Sequence, residues 1–234
     1  MQWVPELPEF REWQRAEPNS TKSVLWLRGA GGIGKSIISG SLVDYLHEMF
    51  SGSDALISYF FCKAGEAKLQ ESRAIVRTIV YQCMLECPEV RERLKDLKKS
   101  QFSITSHGGI RSLVDLLLAK PLATVNKDLH IILDGVDELT RTQIDVADGN
   151  RTEVEIAIVS ISRLPRARVL IISRPDIPLG DITFVTKSIT ELDTLKDIET
   201  YVGQEVSKLK YKVEKWYSKD SQDLIKQLVE GLFI

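Results

Sequence analysis

An α/β domain with a central parallel sheet flanked by helices is the fold class this sequence predicts, and three observations predict it. Runs of strand length rich in Val, Ile, Leu and Phe show little polar alternation, as strands buried on both faces do. They alternate with stretches of helical periodicity, the pattern of a sheet covered on both sides. Between the first such run and the first helical stretch lies RGAGGIGKS, Arg28 to Ser36, a glycine-rich strand-to-helix turn.

Composition sets the outer bounds. At 234 residues the chain has room for one substantial domain with an appendage, because single cores stop growing near ~250 to 300 residues. Hydrophobic residues at 43% and charged residues at 27% match folded averages and exclude a disordered or fibrous class. The balance of 31 basic against 33 acidic residues gives a formal net charge of -2. No global field therefore draws the chain to nucleic acid or anionic lipid, which argues against a nucleic-acid partner. No apolar run reaches the ~18 residues of a membrane span, and the opening MQWVPELPEFREW is acidic and aromatic where a leader is basic, then apolar. A cytoplasmic location is expected. Cys62, Cys83 and Cys87 have no histidine nearby to complete a zinc site, so free thiols are expected.

In chain order, the expected strands are VLWLR (Val24 to Arg28), ALISYFF (Ala55 to Phe61), LHIILD (Leu129 to Asp134), RVLIIS (Arg168 to Ser173) and ITFVT (Ile182 to Thr186). The expected helices are Ser36 to Met49, Ser72 to Glu86, Glu89 to Lys98, Ile110 to Ala119 and Glu153 to Leu164. In the first helix Ile38, Leu42, Tyr45, Leu46 and Met49 recur at helical spacing and form a stripe for the sheet. TRTQIDVADGN, Thr140 to Asn150, is expected as a mobile loop. The basic run RERLKDLKKS, Arg91 to Ser100, reads as a solvated helix face. Residues 1–23 form a lead-in, 24–190 the sheet-bearing domain, and 191–234 the start of a helical domain. There Leu195, Ile198, Tyr201, Val202, Val206 and Leu209 share a helical face. The apolar GLFI is a poor natural terminus, so more sequence is expected beyond it.

Gly29 to Ser36 match GxxxxGK[ST], between an apolar strand and a helix, the context that makes the motif a phosphate loop. The backbone of Gly29, Ala30, Gly31, Gly32, Ile33 and Gly34 turns N–H groups toward a phosphate, and the next helix presents its positive end to the same anion. Lys35 reaches the β- and γ-phosphates, and the Ser36 hydroxyl suits Mg²⁺. HIILDGVDEL then places Asp134 at a strand end, where a carboxylate holds Mg²⁺ through its water shell. Asp137 and Glu138 follow within reach of a water attacking the γ-phosphate. Many P-loop ATPases carry the catalytic glutamate directly after the metal aspartate, but here that position is Gly135. VNKD, Val125 to Asp128, imitates a guanine-reading motif but lacks its spacer and comes too early in the chain. His47, His107 and His130 are scattered and form no triad or metal cluster. The fold class is thus a P-loop NTPase, followed by part of a small helical domain.

The combination of GxxxxGKS, an apolar strand ending DGVDE and a later strand ending SRP resembles the NACHT NTPases of the STAND class, the nucleotide switches of NOD-like receptors. SYFFCK, SRAIVRTIVYQC, LKDIETYVGQEV and the opening WVPELPEFREWQ are similar to fungal NACHT proteins of the heterokaryon-incompatibility type. The resemblance covers nearly the whole chain. It implies a slowly hydrolysing switch that takes Mg²⁺ with ATP/ADP or GTP/GDP, adenine or guanine being left open. Lys35 and Ser36 would bind phosphates and metal, Asp134 would be the metal carboxylate, and Asp137 with Glu138 would position water. Arg174, in IISRP, would be the sensor arginine; from position alone it reads as a surface ion pair. The resemblance further implies self-association of the full-length protein, a role in innate immunity or programmed cell death, and a winged-helix region with sensor repeats beyond Ile234. The alternative is a nucleotide-binding scaffold without useful turnover. A metabolite kinase fits less well, for want of an arginine-rich lid and an acceptor-binding segment.

Overall fold

The computed structural model describes residues 3–17, 20–52, 55–99, 109–139, 144–145, 151–175, 184–195, 197, 199–200 and 206–208. It divides into two units, Met1–Thr190 and Glu191–Ile234. In the second, residues 191–195 and 206–208 are helical. No helix among the described residues is long and apolar enough to cross a membrane.

The first unit is built on β1 (Val24–Gly29), β2 (Leu56–Phe61), β3 (Leu129–Asp134), β4 (Ile144–Asp145), β5 (Arg151–Thr152), β6 (Ala167–Ser173) and β7 (Val185–Ile189). Five of these form one sheet in the order β2-β3-β6-β1-β7, every neighbour parallel, and β4 pairs with β5 in a separate antiparallel ribbon. The helices are α1 (Pro8–Arg15), α2 (Lys35–Met49), α3 (Ser72–Glu86), α4 (Pro88–Lys99), α5 (Ile110–Val114), α6 (Lys120–Leu122) and α7 (Glu153–Ser162). Successive strand residues point to opposite faces, so each apolar run supplies two cores. Leu25, Leu27, Ile132, Leu170 and Ile172 meet α1 and α2 on one face. Val24, Trp26, Ile131, Leu133, Val169 and Ile171 meet α3, α5 and α7 on the other.

Local chemistry fixes several of these elements. Thr152 and Glu155 close a reciprocal capping box at the start of α7, the hydroxyl accepting from Glu155 N–H and the carboxylate from Thr152 N–H. β2 lies at one border of the sheet, where unpaired backbone groups invite strand pairing. Gln82 of α3 covers that border as a neighbouring peptide would: its oxygen accepts from Tyr59 N–H at 2.9 Å, and its amide donates to Tyr59 C=O at 3.2 Å. The lead-in is also bound into the first unit. Val4, Phe10 and Trp13 are fully buried, and the Trp13 indole donates to Val169 C=O at 3.1 Å.

Several expectations need correction. The last strand is Val185–Ile189, three residues later than its apolar run suggested, because pairing with β1 from Leu25↔Val185 to Gly29↔Ile189 sets its position. It is a border strand and carries Lys187 and Ser188, which an apolar scan passes over. Met49 is 46% exposed rather than part of the α2 stripe, while Val43 takes a buried place. α7 ends at Ser162, and α5 continues through a π-helical stretch, Asp115–Ala119, into α6. The π stretch precedes Pro121, which has no N–H for an α-helical bond. Part of the expected loop is β4; residues 140–143 and 146–150 lie outside the described set. Leu195 and Val206 are exposed, and Ile198, Tyr201, Val202 and Leu209 lie outside the described residues. In the basic run, Lys95 pairs with Glu92 at 2.7 Å on an exposed surface. All three cysteines are free and buried.

At the end of the sheet opposite the glycine-rich loop, His130 is buried between Phe50, stacked at 4.5 Å, and the edge of Trp13 at 5.7 Å. Neither ring nitrogen has a hydrogen-bond partner. Burial, reinforced by the Arg168 charge, lowers its pKa from 6.5 to about 4. Since the folded-state value is depressed, the neutral ring's contribution is present above pH 6.5 and is lost as pH falls toward 4. We expect about 2 kcal/mol of stability to disappear between pH 7 and pH 5. Urea unfolding at the two pH values checks this, and His130→Phe should remove most of the dependence.

Candidate functional site

The phosphate loop leaves β1 at Gly29 and enters α2 at Lys35. A Cβ on Gly29 would stand 2.8 Å from Ile33 Cγ2, so the tight return of the loop requires glycine there. Ile33 turns its side chain into the core beside α2 and offers the site only its backbone. Gly32 and Gly34 have φ of 80° and 91°. Ala30, Gly31, Gly32 and Ser36 are exposed. The Lys35 ammonium donates to Gly29 C=O at 3.1 Å and Ala30 C=O at 2.8 Å, which holds the charge over the loop.

Asp134 ends β3 at 2% exposure, with Oδ1 lacking a hydrogen-bond partner. Burial raises its pKa, while the hydroxyls of Ser36 and Ser39 and the charge of Lys35 act in the opposite direction. Ser39 is a further residue at the site that motif spacing does not single out; its signal in the sequence is a serine beside the apolar stripe of α2. It is fully buried and donates to Lys35 C=O at 2.9 Å, so it braces the first turn of α2. Behind Asp134 lies Cys62, whose thiol is pushed up by burial and then by Asp134, Glu138 and Asp137. It remains a protonated, unreactive thiol.

Gly135 explains the missing glutamate. Its φ is 68°, its N–H donates to Ile172 C=O at 2.8 Å, and a Cβ there would approach Cys62 C=O to 3.1 Å. The chain turns sharply into the 3-10 turn Val136–Glu138, which presents both remaining acids. Asp137 faces Arg174 with both oxygens: Oδ1 accepts from Arg174 N–H at 3.2 Å, and Oδ2 lies 3.4 Å from Nε. The Asp137 side chain is only 10% exposed, whereas that of Arg174 is 58% exposed. The Arg174 guanidinium also reaches the loop, with Nη2 3.6 Å from the position of a Cβ on Gly31. The ion pair and the approach to the loop therefore coexist. Glu138 Oε2 accepts from Ala64 N–H at 2.6 Å, and Gln70 donates to Glu138 C=O at 3.2 Å.

The structure thus brings every expected site residue to one end of the sheet. Among the described residues no group of three or more His, Cys, Asp or Glu side chains is arranged to hold a metal. A buried carboxylate with an unmet oxygen, near a serine hydroxyl, is instead a hard-oxygen pair that would fit a cation such as Mg²⁺. Asp128 of the VNKD stretch is elsewhere: it begins the approach to β3 and pairs with Arg166 and Arg168 at 2.9 Å each.

Comparison with known families decides the chain's membership. The family model described as "Nephrocystin 3, N-terminal" matches residues 1–174, most of the chain. The chain belongs to the nephrocystin 3 N-terminal family. This family member also aligns with the vegetative incompatibility protein HET-E-1 of Podospora anserina, at 27% identity over 86 residues. The alignment takes in 37% of this chain and 6% of HET-E-1, so it concerns a small part of that relative. The NACHT-type, heterokaryon-incompatibility resemblance is borne out. Cdc6p from Pyrobaculum aerophilum is similar over 70% of this chain and 38% of its own, with TM-score 0.37 and 14% identity. Drosophila ORC bound to AT-rich DNA and Cdc6 is similar over 92% of this chain and 71% of its own, with TM-score 0.41 and 13% identity. Both likenesses are remote; the sheet order and the loop geometry carry the fold.

Gly135→Ala tests the turn that separates Asp134 from the other acids. A non-glycine residue in the left-handed region costs about 1 to 2 kcal/mol, so Tm should fall by roughly 2 to 8 °C. Differential scanning calorimetry of the two proteins measures it, and equal melting temperatures contradict the assignment.

Proposed function

We propose that this nephrocystin 3 N-terminal family member is a purine-nucleotide switch, binding ATP/ADP or GTP/GDP with Mg²⁺ and hydrolysing the triphosphate slowly. The observation that carries the reading is the meeting of a buried carboxylate oxygen on Asp134, which lacks a partner, with the phosphate loop and the Ser36 hydroxyl. A buried charge that is only partly compensated gains from a bound cation. Mg²⁺, when bound, supplies charge neutralisation between phosphate oxygens. Lys35 keeps two of its donors on loop carbonyls and directs the remaining N–H to a phosphate oxygen. Arg174, held by Asp137 above Gly31, pairs with a γ-phosphate and loses that partner on hydrolysis.

Asp137 and Glu138 orient the attacking water and take its proton at a carboxylate oxygen. Both are already engaged, one by Arg174 and the other by Ala64, which weakens them as bases and supports slow turnover. The same engagement favours the second reading, a nucleotide-binding scaffold without useful turnover. In the switch reading, the diphosphate holds a closed state and the triphosphate permits self-association of the full-length protein. The name of the vegetative incompatibility relative HET-E-1 supports a role in incompatibility; programmed cell death and innate immunity are the settings that the NACHT resemblance implies.

Nucleotide at about 100 times its dissociation constant should stabilise the protein by roughly 2.7 kcal/mol, raising Tm by about 5 to 11 °C. Lys35→Ala should lose most of that shift while keeping its circular dichroism. Thermal denaturation with Mg²⁺ and each of ATP, ADP, GTP and GDP, after removal of retained nucleotide, makes the test. Phosphate release measured on the same samples separates the two readings: slow release supports the switch, and none supports the scaffold.

A further inference from the structure

We propose that Trp26 and Ser173 are positioning residues for Arg174, acting through a hydrogen-bonded chain from the interior of the sheet to the phosphate loop. This rests on the reading of Arg174 as the sensor. The Trp26 indole N–H donates to Ser173 Oγ at 2.8 Å, and Ser173 Oγ donates to Arg174 C=O at 2.9 Å. Trp26 is 4% exposed and Ser173 fully buried, so neither group exchanges its partner for water.

The chemistry of the three groups sets the direction of the chain. An indole N–H can only donate, a hydroxyl has one hydrogen to give, and a carbonyl can only accept. Ser173 must therefore accept from Trp26 and donate to Arg174, with each bond polarising the next. On the other side of the same residue, Arg174 N–H donates to Asp137 Oδ1 at 3.2 Å. The main chain of residue 174 is held at its C=O by the core of β6 and β1, and at its N–H by the acid turn after β3. The exposed part of the side chain starts from a fixed base and lies against Gly31. Trp26 is itself fixed, by the edge of Phe184 at 5.2 Å and by Arg28 Cζ over its ring at 5.2 Å. In β1 it pairs with Ile171, one step before the register partners Leu27 and Ile172, so the indole reaches forward along the sheet to Ser173.

Removing the hydroxyl leaves both the indole N–H and the Arg174 carbonyl without partners. Replacing Trp26 by Phe keeps the packing and leaves Ser173 free to donate. The loss should therefore be graded, and should appear in the discrimination of triphosphate from diphosphate rather than in the hold on the shared phosphates.

The experiment is calorimetric titration of ATP and of ADP, with Mg²⁺, into the wild type, Arg174→Ala, Ser173→Ala, Trp26→Phe and the double variant Ser173→Ala/Arg174→Ala, with Tm recorded for each. We expect Arg174→Ala to lower the ATP-over-ADP affinity ratio about tenfold, Ser173→Ala about threefold, and Trp26→Phe less. ADP affinity should change little, and the double variant should match Arg174→Ala alone. If Arg174→Ala lowers the ratio but Ser173→Ala and Trp26→Phe leave it unchanged, or Ser173→Ala adds fully to it, the positioning chain is wrong and the sensor stands. If Arg174→Ala leaves the ratio unchanged, the sensor reading fails and the inference falls with it. Should Ser173→Ala melt below the assay temperature, Trp26→Phe with its indole alone removed decides the same question.

Discussion

The parallel ladder sets Asp134 of β3 level with Ile172 of β6, and Ile172 level with Leu27 of β1. Everything at the site follows from that register. One step further along the three strands come Gly135, Ser173 and Arg28, so the acid turn, the arginine and the glycine-rich loop emerge side by side. A slip of one residue would send the Asp134 side chain to the opposite face of the sheet. The two hydrophobic layers forbid the slip, because Ile131 and Leu133 belong to one core and Ile132 to the other. Burial of apolar side chains on both faces thus fixes the placement of the charged groups at the edge.

Within that frame the three acids have different electrostatic situations. Asp134 is buried, with one oxygen unmet, and is balanced by the hydroxyls of Ser36 and Ser39 and the charge of Lys35. Asp137 is nearly as buried but faces Arg174 with both oxygens. Glu138 is drawn aside to the Ala64 amide, which ties the start of the segment after β2 to the acid turn. Asp137 and Glu138 thus have structural partners of their own, and of the three acids the proposed metal site falls to Asp134. Slow turnover is the physical consequence proposed here, since an engaged carboxylate is a poor base.

Much of this arrangement was legible in the sequence and some was not, for definite reasons. β1, β3 and β6 are apolar on both faces, so their composition reveals them, and the loop motif is contiguous. β7 was displaced because a border strand tolerates Lys187 and Ser188, leaving backbone pairing rather than composition to locate it. The Asp137 to Arg174 pair spans 37 positions and depends on β3 and β6 being neighbours, which no local pattern contains. The same holds for Gln82 against Tyr59 and for Trp13 against Val169. Gly135 is visible in the sequence as a departure from the usual glutamate, but the reason lies in its positive φ and the nearby Cys62 carbonyl.

The central claim is that Asp134 and the phosphate loop form one site for a nucleotide with its metal. Titration of ATP into the wild type and Asp134→Asn, each in Mg²⁺ and in EDTA, tests it most directly. The wild type should bind more tightly with Mg²⁺ than without, by about tenfold or more if the metal contact is worth at least ~1.4 kcal/mol. Asp134→Asn should retain binding in EDTA through Lys35 and the loop amides but gain nothing from Mg²⁺. An equal Mg²⁺ dependence in both proteins would contradict the account, because the metal would then be held without the Asp134 carboxylate, whose buried Oδ1 lacks a hydrogen-bond partner.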